Sequence, residues 1–92
     1  MFSFDIADGL KETMKKLSKK DPICLLALNK KIRQIISCDE RSIEHYPDSS
    51  HELAGFKHVH IASSFVLFFI VYSKERHILF DRLEHHDKAF RR

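Results

Sequence analysis

The fold is decided by residues 56–83, which read FKHVHIASSFVLFFIVYSKERHILFDRL. At the start of this stretch, Val59 and Ile61 alternate with His58 and His60. Such an alternation of apolar and polar residues is typical of a strand that buries one face and exposes the other. We therefore expect a strand here, with the valine and the isoleucine turned inward and both histidines on the opposite face.

Two further strands are expected in the same stretch. Residues 65–72 are apolar at every position, which is typical of a central strand covered on both faces. Residues 77–83 form the third strand, and the connecting residues, Ser63-Ser64 and SKER at 73–76, are turn candidates. Because short turns join neighbouring antiparallel strands, the stretch predicts a three-stranded meander.

Two helices are expected before the meander. Apolar residues recur at spacings of four and three from Leu10 to Leu17, with Asp8 as the predicted N-cap. The pair Asp21-Pro22 starts a second helix that we expect to end near residue 37, because aspartate caps helices and proline suits the first helical position. A junction this short predicts a helical hairpin.

The remaining segments complete an α+β prediction. Residues 2–6 are expected to form a short edge strand, residues 39–50 a connecting loop, and residues 84–92 a polar C-terminal tail. We predict one domain, residues 1–92, in which the helical hairpin packs on one face of a small antiparallel sheet. The histidines are then expected on the other face of that sheet.

The charge balance favours partners that carry phosphate or acidic side chains. The formal net charge is +3 and the pI is about 9.0. The longest apolar run, residues 65–72, is far shorter than the ~20 residues of a membrane-spanning helix. The amino terminus has neither the basic start nor the long apolar core of a secretory signal. We therefore expect a cytoplasmic protein with no membrane partner.

The seven histidines all lie after residue 44. Histidine is the side chain best suited to proton transfer near neutral pH. His58 and His60 share a strand face at roughly 7 Å and could hold zinc with a third ligand from the tail. No cysteine pair or HExxH spacing supports a metal site, and solvated strand histidines are the simpler alternative.

The segment RLEHHDKAF, residues 82–90, combines groups that suit RNA. Arg82 can clamp a phosphate, and Phe90 can stack on a base. His85 and His86 can donate or accept protons. The alternative is an ordinary polar terminus in which Phe90 packs down onto the sheet.

Two residues outside the tail are expected close to it. His51 lies in the loop before the meander, so it should sit at the rim of the sheet. Lys57 adds a positive charge beside the strand histidines, which suits a phosphate-binding groove.

Taken in order, these segments resemble the RelE/ParE toxin superfamily. They are HELAG (51–55), KHVHI (57–61), FVLFFIVY (65–72) and RLEHHDKAF (82–90), together with the KKDP junction of the two helices. They are most similar to the histidine-rich, YafQ-like branch of messenger-RNA-cutting toxins. The resemblance implies a RelE-like toxin that enters the ribosomal A site, cleaves messenger RNA there and is held inactive by a cognate antitoxin. We expect no cofactor and no metal.

The resemblance also implies roles for single residues. His51, His60 and His86 match the loop, strand and tail histidines of that branch and are the expected catalytic residues. Arg82 and Phe90 match a basic position and the terminal aromatic of the branch and are expected to bind RNA or phosphate. Lys57 and His85 are added to this set because of their positions in the chain, not because of a match to the branch.

One position departs from the pattern of the branch. Four residues after the strand histidine, the branch has an active-site aspartate, whereas this chain has Ser64. Asp81 and Asp87 are the carboxylates that could take over its role.

Three functions are compatible with these residues. The first is metal-independent RNA cleavage, in which one imidazole takes a proton from a 2′-hydroxyl and another protonates the leaving 5′-oxygen. The second is a non-catalytic inhibitor of a protein target, as in the ParE branch. The third is a metal-binding regulatory module. The histidine pattern favours the first, with His86 as the general acid.

Overall fold

The structure, a computed structural model, describes residues 1–49 and 54–89. Its elements in chain order are β1 (Ser3–Ile6), α1 (Asp8–Lys20), α2 (Pro22–Ile36), α3 (Glu40–Ile43), β2 (Lys57–Ile61), β3 (Phe65–Tyr72), β4 (His77–His85) and α4 (His86–Ala89). The predicted order of a short strand, a helical hairpin and a three-stranded meander is confirmed, and the fold is α+β.

The four strands form one sheet in the order β1-β4-β3-β2. β2, β3 and β4 pair in antiparallel fashion, as the meander predicts. β1 lies at the edge as expected, but it pairs in parallel with β4, so the sheet is mixed rather than purely antiparallel. A parallel neighbour requires a long crossover, which the helices and the meander together provide.

The two long helices begin differently. Asp21 caps α2 as predicted, because its carboxylate accepts a hydrogen bond from the Cys24 backbone N–H at 3.1 Å, and Pro22 occupies the first helical position. The prediction that Asp8 caps α1 is wrong. Asp8 is already the first helical residue, and Ala7 holds the cap position without a side-chain hydrogen bond.

The hydrophobic core lies between the helical hairpin and one face of the sheet. Its fully buried members include Leu10, Leu28, Ile35, Leu67, Phe69, Ile78 and Phe80. In β2, the partly buried Val59 packs against this core and Ile61 belongs to it, so both turn inward as expected. Since successive strand residues alternate between faces, the histidines of β2 lie on the face away from the helices.

Two segments differ from their predicted structure. The expected loop at 39–50 contains α3, which begins where the Asp39 carboxylate accepts a hydrogen bond from the Ser42 backbone N–H at 2.7 Å. The expected polar tail begins within regular structure, because β4 continues to His85 and α4 spans His86–Ala89. Among the helices of the described residues, none has the length and apolar character needed to cross a membrane.

Candidate active site on the open face of the sheet

The side of the sheet opposite the helices, which we call the open face, places polar side chains of β2 and β4 on either side of the buried Val66 and Phe68 of β3. It carries two rows, each with one residue from β2, β3 and β4: His58–Phe68–Arg82 and His60–Val66–Glu84. Adjacent strands lie about 4.8 Å apart, so each row is about 10 Å wide, and the rows are about 7 Å from each other. An area of this size can contact one or two nucleotides.

A bulge in β4 brings Arg82 to the open face. The register pairs Phe68 with Arg82 but Phe69 with Phe80, so Asp81 is an extra residue in β4. Phe80 faces the core, and without the extra residue Arg82 would face the core as well. The bulge shifts the alternation by one, so that Leu83 takes the next core position and the guanidinium turns outward.

Two of the expected catalytic histidines meet at the end of the open face. The rings of His60 and His86 are stacked, with centroids 5.4 Å apart and planes at 30°. The contact joins β2 to the start of α4, which lies 26 residues further along the chain. The backbone N–H of His86 donates to the Ser64 carbonyl at 2.6 Å, so the β2–β3 turn holds α4 in place. Ser64 therefore positions a histidine through its main chain.

Two carboxylates orient the guanidinium of Arg82. Its Nε lies 2.6 Å from Asp81 Oδ2, and its Nη1 lies 3.9 Å from Glu84 Oε1. The hydrogen bond to Asp81 raises the pKa of Arg82 above its ordinary value, so the side chain stays cationic. The guanidinium also lies over the Phe56 ring, 5.9 Å from its centroid. About half of the side chain remains exposed, which leaves room for a phosphate.

His58 is held by residues from two other segments of the chain. Its Nδ1 lies 3.0 Å from Ser49 Oγ, and its ring packs against Phe68 with centroids 6.1 Å apart. Burial lowers the pKa of His58 below its ordinary value, and the charge of His60 lowers it further. His58 is thus a neutral neighbour of the stacked pair at pH 7.

Lys57 is placed where it cannot bind a phosphate on the open face. Only 7% of the residue is exposed. Its ammonium group donates to the Tyr46 carbonyl at 3.0 Å and to Asp48 Oδ1 at 3.0 Å. Because Lys57 precedes His58 on the strand, it belongs to the opposite face. The structure therefore contradicts the expected phosphate contact of Lys57 and assigns this lysine to the packing of the 44–48 segment.

His85 lies apart from the stacked pair. It is paired across the sheet with Phe65, and its ring meets that phenyl ring edge-on at 5.7 Å. Its Nδ1 accepts a hydrogen bond from the Asp87 backbone N–H at 3.3 Å. Asp87 thus lies beside His85, and Asp81 is bonded to Arg82. His85 is exposed, but it belongs to the face of β4 opposite the stacked pair. Its expected RNA contact stays a prediction.

Two predicted site residues, His51 and Phe90, lie outside the described residues. Their expected roles as loop histidine and terminal aromatic stay predictions. Within the part of the chain that is described, no group of three histidine, cysteine, aspartate or glutamate side chains is placed to hold a metal ion.

Sequence reasoning missed Glu84, and it considered Asp81 only as a replacement for the aspartate of the branch, not as a partner of Arg82. Glu84 shares the row of His60 on the open face, and Asp81 forms the bulge. The signal was the spacing in HILFDRL, where core residues stand two apart at Ile78 and Phe80 and then three apart at Leu83. A strand whose apolar spacing changes from two to three contains one extra residue.

Comparison with known proteins identifies relatives along the whole chain. No family model matches the sequence. A candidate toxin of Methanocaldococcus jannaschii, RelE4, is 35% identical over 92 residues, which is all of this chain and 94% of that protein. The fold also matches the toxin–antitoxin complex RelBE2 of Mycobacterium tuberculosis, with a TM-score of 0.72, 15% identity and coverage of 92% of this chain and 98% of that one. A variant of YafQ from E. coli matches with a TM-score of 0.71, 12% identity and coverage of 98% and 99%.

Proposed function

This chain belongs to the RelE/ParE toxin superfamily, and we propose that it is the ribosome-dependent endoribonuclease of a type II toxin–antitoxin system. The observation that carries the proposal is the stacked pair of His60 and His86 at 5.4 Å, on the same sheet face as the exposed guanidinium of Arg82. Two imidazoles and a fixed cation are the groups that RNA cleavage needs when no metal takes part.

The proposed reaction uses the RNA's own 2′-hydroxyl as the nucleophile. We propose that the His60 imidazole contacts that hydroxyl and the phosphate and removes the proton. His51 is proposed for the same task only because it matches the loop histidine of the YafQ-like branch. The 2′-oxygen then attacks the adjacent phosphorus, the bond from phosphorus to the 5′-oxygen breaks, and His86 donates a proton to that oxygen. The products are a 2′,3′-cyclic phosphate and a 5′-hydroxyl, and no water is consumed.

Arg82 supplies the positive charge that this reaction requires. The phosphate gains negative charge as the 2′-oxygen attacks, and a guanidinium can meet two of its oxygens at once. Asp81 holds the guanidinium through Nε, and Glu84 lies 3.9 Å from Nη1. We propose that Nη2 donates to the phosphate, and that Nη1 does so in place of its long contact with Glu84. Phe90 is proposed to stack on a neighbouring base.

The family-level partner is an antitoxin, and we propose that it is an acidic segment. The exposed face of α1 carries five lysines: Lys11, Lys15, Lys16, Lys19 and Lys20. On α2, Ile23 and Leu26 are 78% and 69% exposed. Cations beside exposed apolar side chains suit an acidic amphipathic segment that folds on binding.

The test is to add the purified protein to ribosomes translating a defined message and to map new RNA ends. We expect ends within the A-site codon, and we expect a chelator to leave cleavage unchanged. The His86→Ala variant should lose cleavage, whereas His45→Ala, an exposed histidine in the segment after α3, should retain it. A protein that arrests translation without cutting the message would instead be an inhibitor of a protein target.

A further inference from the structure

We call His58, His60 and His86 the histidine cluster. The open face continues beyond this cluster to the end of β3 and the start of β4. There the register gives two more rows, each with one residue from β3, β4 and β1: Tyr72–His77–Ser3 and Ile70–Leu79–Asp5. These residues share the face of Val66 and Phe68, because they stand at even spacings along β3. Tyr72 stands six positions after Val66 along β3, a distance of about 20 Å.

The imidazole of His77 is fixed by both of its nitrogens. Its Nδ1 lies 2.7 Å from Ser3 Oγ, and its Nε2 lies 3.0 Å from Asp5 Oδ2. A ring held at both nitrogens cannot turn and has no nitrogen left for a substrate. What it can still present to a ligand is the face of the ring.

The ring of Tyr72 lies beside that of His77, and the two form what we call the ring pair. Their centroids are 6.5 Å apart and their planes are tilted by 33°. Tyr72 is 42% exposed, and the next row adds the half-buried apolar side chains Ile70 and Leu79. Exposed aromatic rings on a sheet, with apolar neighbours, are the typical platform on which single-stranded nucleic acid stacks its bases.

The charges around the ring pair favour a base over a phosphate. The Asp5 carboxylate next to His77 would repel a phosphate but can accept a hydrogen bond from the amino group of adenine, cytosine or guanine. Lys74, exposed in the turn after Tyr72, can meet the backbone on the outer side.

We propose that the ring pair is a base-stacking subsite for the same single-stranded RNA whose scissile phosphate lies at His60 and His86. The inference rests on the proposed function, because that function supplies the RNA ligand. The location of the subsite follows from the strand register, which places the ring pair and the histidine cluster on one sheet face. The subsite lengthens the contact with RNA from the one or two nucleotides at the histidine cluster to a strand that runs along the whole face.

The experiment uses two fluorescent 2′-O-methyl oligonucleotides, which cannot be cleaved. The short oligonucleotide is long enough to contact only the histidine cluster. The long oligonucleotide can reach along the open face from the histidine cluster to the ring pair. Affinities are measured by anisotropy for the parent, Tyr72→Ala and Tyr72→Phe, with Leu26→Ala on α2 as an exposed apolar control. We expect Tyr72→Ala to weaken binding of the long oligonucleotide by about 5- to 100-fold and to leave the short one unchanged. Tyr72→Phe and Leu26→Ala should bind both like the parent.

Every other outcome overturns the subsite. Equal binding of the long oligonucleotide by parent and Tyr72→Ala, or an equal loss for both lengths, shows that no base stacks on the ring pair. If Tyr72→Ala sediments differently from the parent in the absence of RNA, Tyr72 contacts a second copy of the chain instead. If Tyr72→Ala does not fold, as judged by circular dichroism, Tyr72→Leu replaces it, and the same loss is expected because the aromatic face is removed.

The subsite and the proposed function can fail separately. If His86→Ala loses cleavage but Tyr72→Ala binds normally, the catalytic assignment stands and the subsite falls. If the long oligonucleotide depends on Tyr72 but the parent cuts no message, the subsite stands and the nuclease falls. If neither oligonucleotide binds, the subsite is overturned, and the nuclease is still judged by cleavage of message on the ribosome.

Discussion

The stacked rings of His60 and His86 allow a base and an acid to act in one site. Their centroids are 5.4 Å apart, so both imidazoles can reach one ribose-phosphate, one to take the 2′-hydroxyl proton and the other to protonate the leaving oxygen. Because the two rings are in contact, we expect the two residues to act as a unit rather than independently.

The first prediction concerns this coupling. His60→Ala and His86→Ala should each lower the rate of A-site cleavage by about 10²–10⁴-fold, because each removes one positioned proton carrier. The double variant should be no slower than the worse single variant. The measurement is single-turnover cleavage on programmed ribosomes, with His45→Ala as the control. Losses that multiply in the double variant would show that the two residues act independently.

The second prediction concerns His58 and the pH dependence of stability. Burial and His60 lower the pKa of His58 below 6.5, against a smaller opposing effect of Asp48. Because the folded state binds the proton less readily than the unfolded chain, the contribution to stability is complete above about pH 6.5 and is lost as the pH falls below it. Urea unfolding at about pH 7.5 and about pH 5.5 should show a smaller acid loss for His58→Gln than for the parent. His45→Gln should behave like the parent, and an unchanged acid loss in His58→Gln would refute the assignment.

The third prediction separates structure from catalysis at Lys57. Replacing it with methionine keeps most of the packed stem but leaves the Tyr46 carbonyl without its donor, which should cost about 1–3 kcal/mol. Thermal unfolding measures this loss, and Lys16→Met on the exposed surface of α1 is the control. Cleavage by folded Lys57→Met should equal that of the parent. A variant of full stability that had lost cleavage would restore the phosphate-binding role.

Lys57 also shows what the alternation of residues along a strand can and cannot predict. The alternation of Lys57 with His58 already predicts that the two side chains lie on opposite faces of β2. A lysine at a core-facing position indicates a buried cation that needs hydrogen-bond acceptors. In the structure these acceptors lie in residues 44–48. Those partners could not be predicted, because they depend on how the loop before β2 folds back.

At the scale of the elements, the local signal was sufficient at α2, where an aspartate and a proline together set the boundary, but not at α1, where Asp8 is not the cap. The Asp21-Pro22 junction predicted the start of α2, and the structure confirms it through the bond to Cys24. The bulge at Asp81 has no such residue type, since any amino acid can be the extra one. Only the pairing with β3 shows which residue leaves the ladder, and with it the face on which Arg82 lies.

The fourth prediction compares two aspartates at helix starts. Asp21→Ala should lower the free energy of unfolding by about 0.5–2 kcal/mol, because the Cys24 N–H loses its acceptor. Asp8→Ala should cost much less, since Asp8 makes no cap bond and only a 4.0 Å contact with Lys11. Urea unfolding of both variants decides the matter. Equal losses would mean that the capping bond does not stabilise α2.

On the scale of the whole molecule, the helical layer and the sheet carry different proposed binding surfaces. The helical layer carries exposed lysines and the apolar pair Ile23 and Leu26, and the sheet carries the histidine cluster and the ring pair on its other side. The periodicity of the sequence predicted these layers, because it separates inward from outward residues within each element. It could not predict that His60 would stack on His86, because that contact depends on the Ser64 carbonyl holding α4.

The chemistry of the cut ends tests the central claim most directly. The proposed reaction of the His60–His86 pair leaves a 2′,3′-cyclic phosphate on the upstream fragment and a 5′-hydroxyl on the downstream fragment. Ribosome-bound message treated with the purified protein should therefore yield A-site fragments with these two ends, in the presence or absence of chelator. Fragments with a 3′-hydroxyl and a 5′-phosphate, or no fragments from a protein that still arrests translation, would contradict the account.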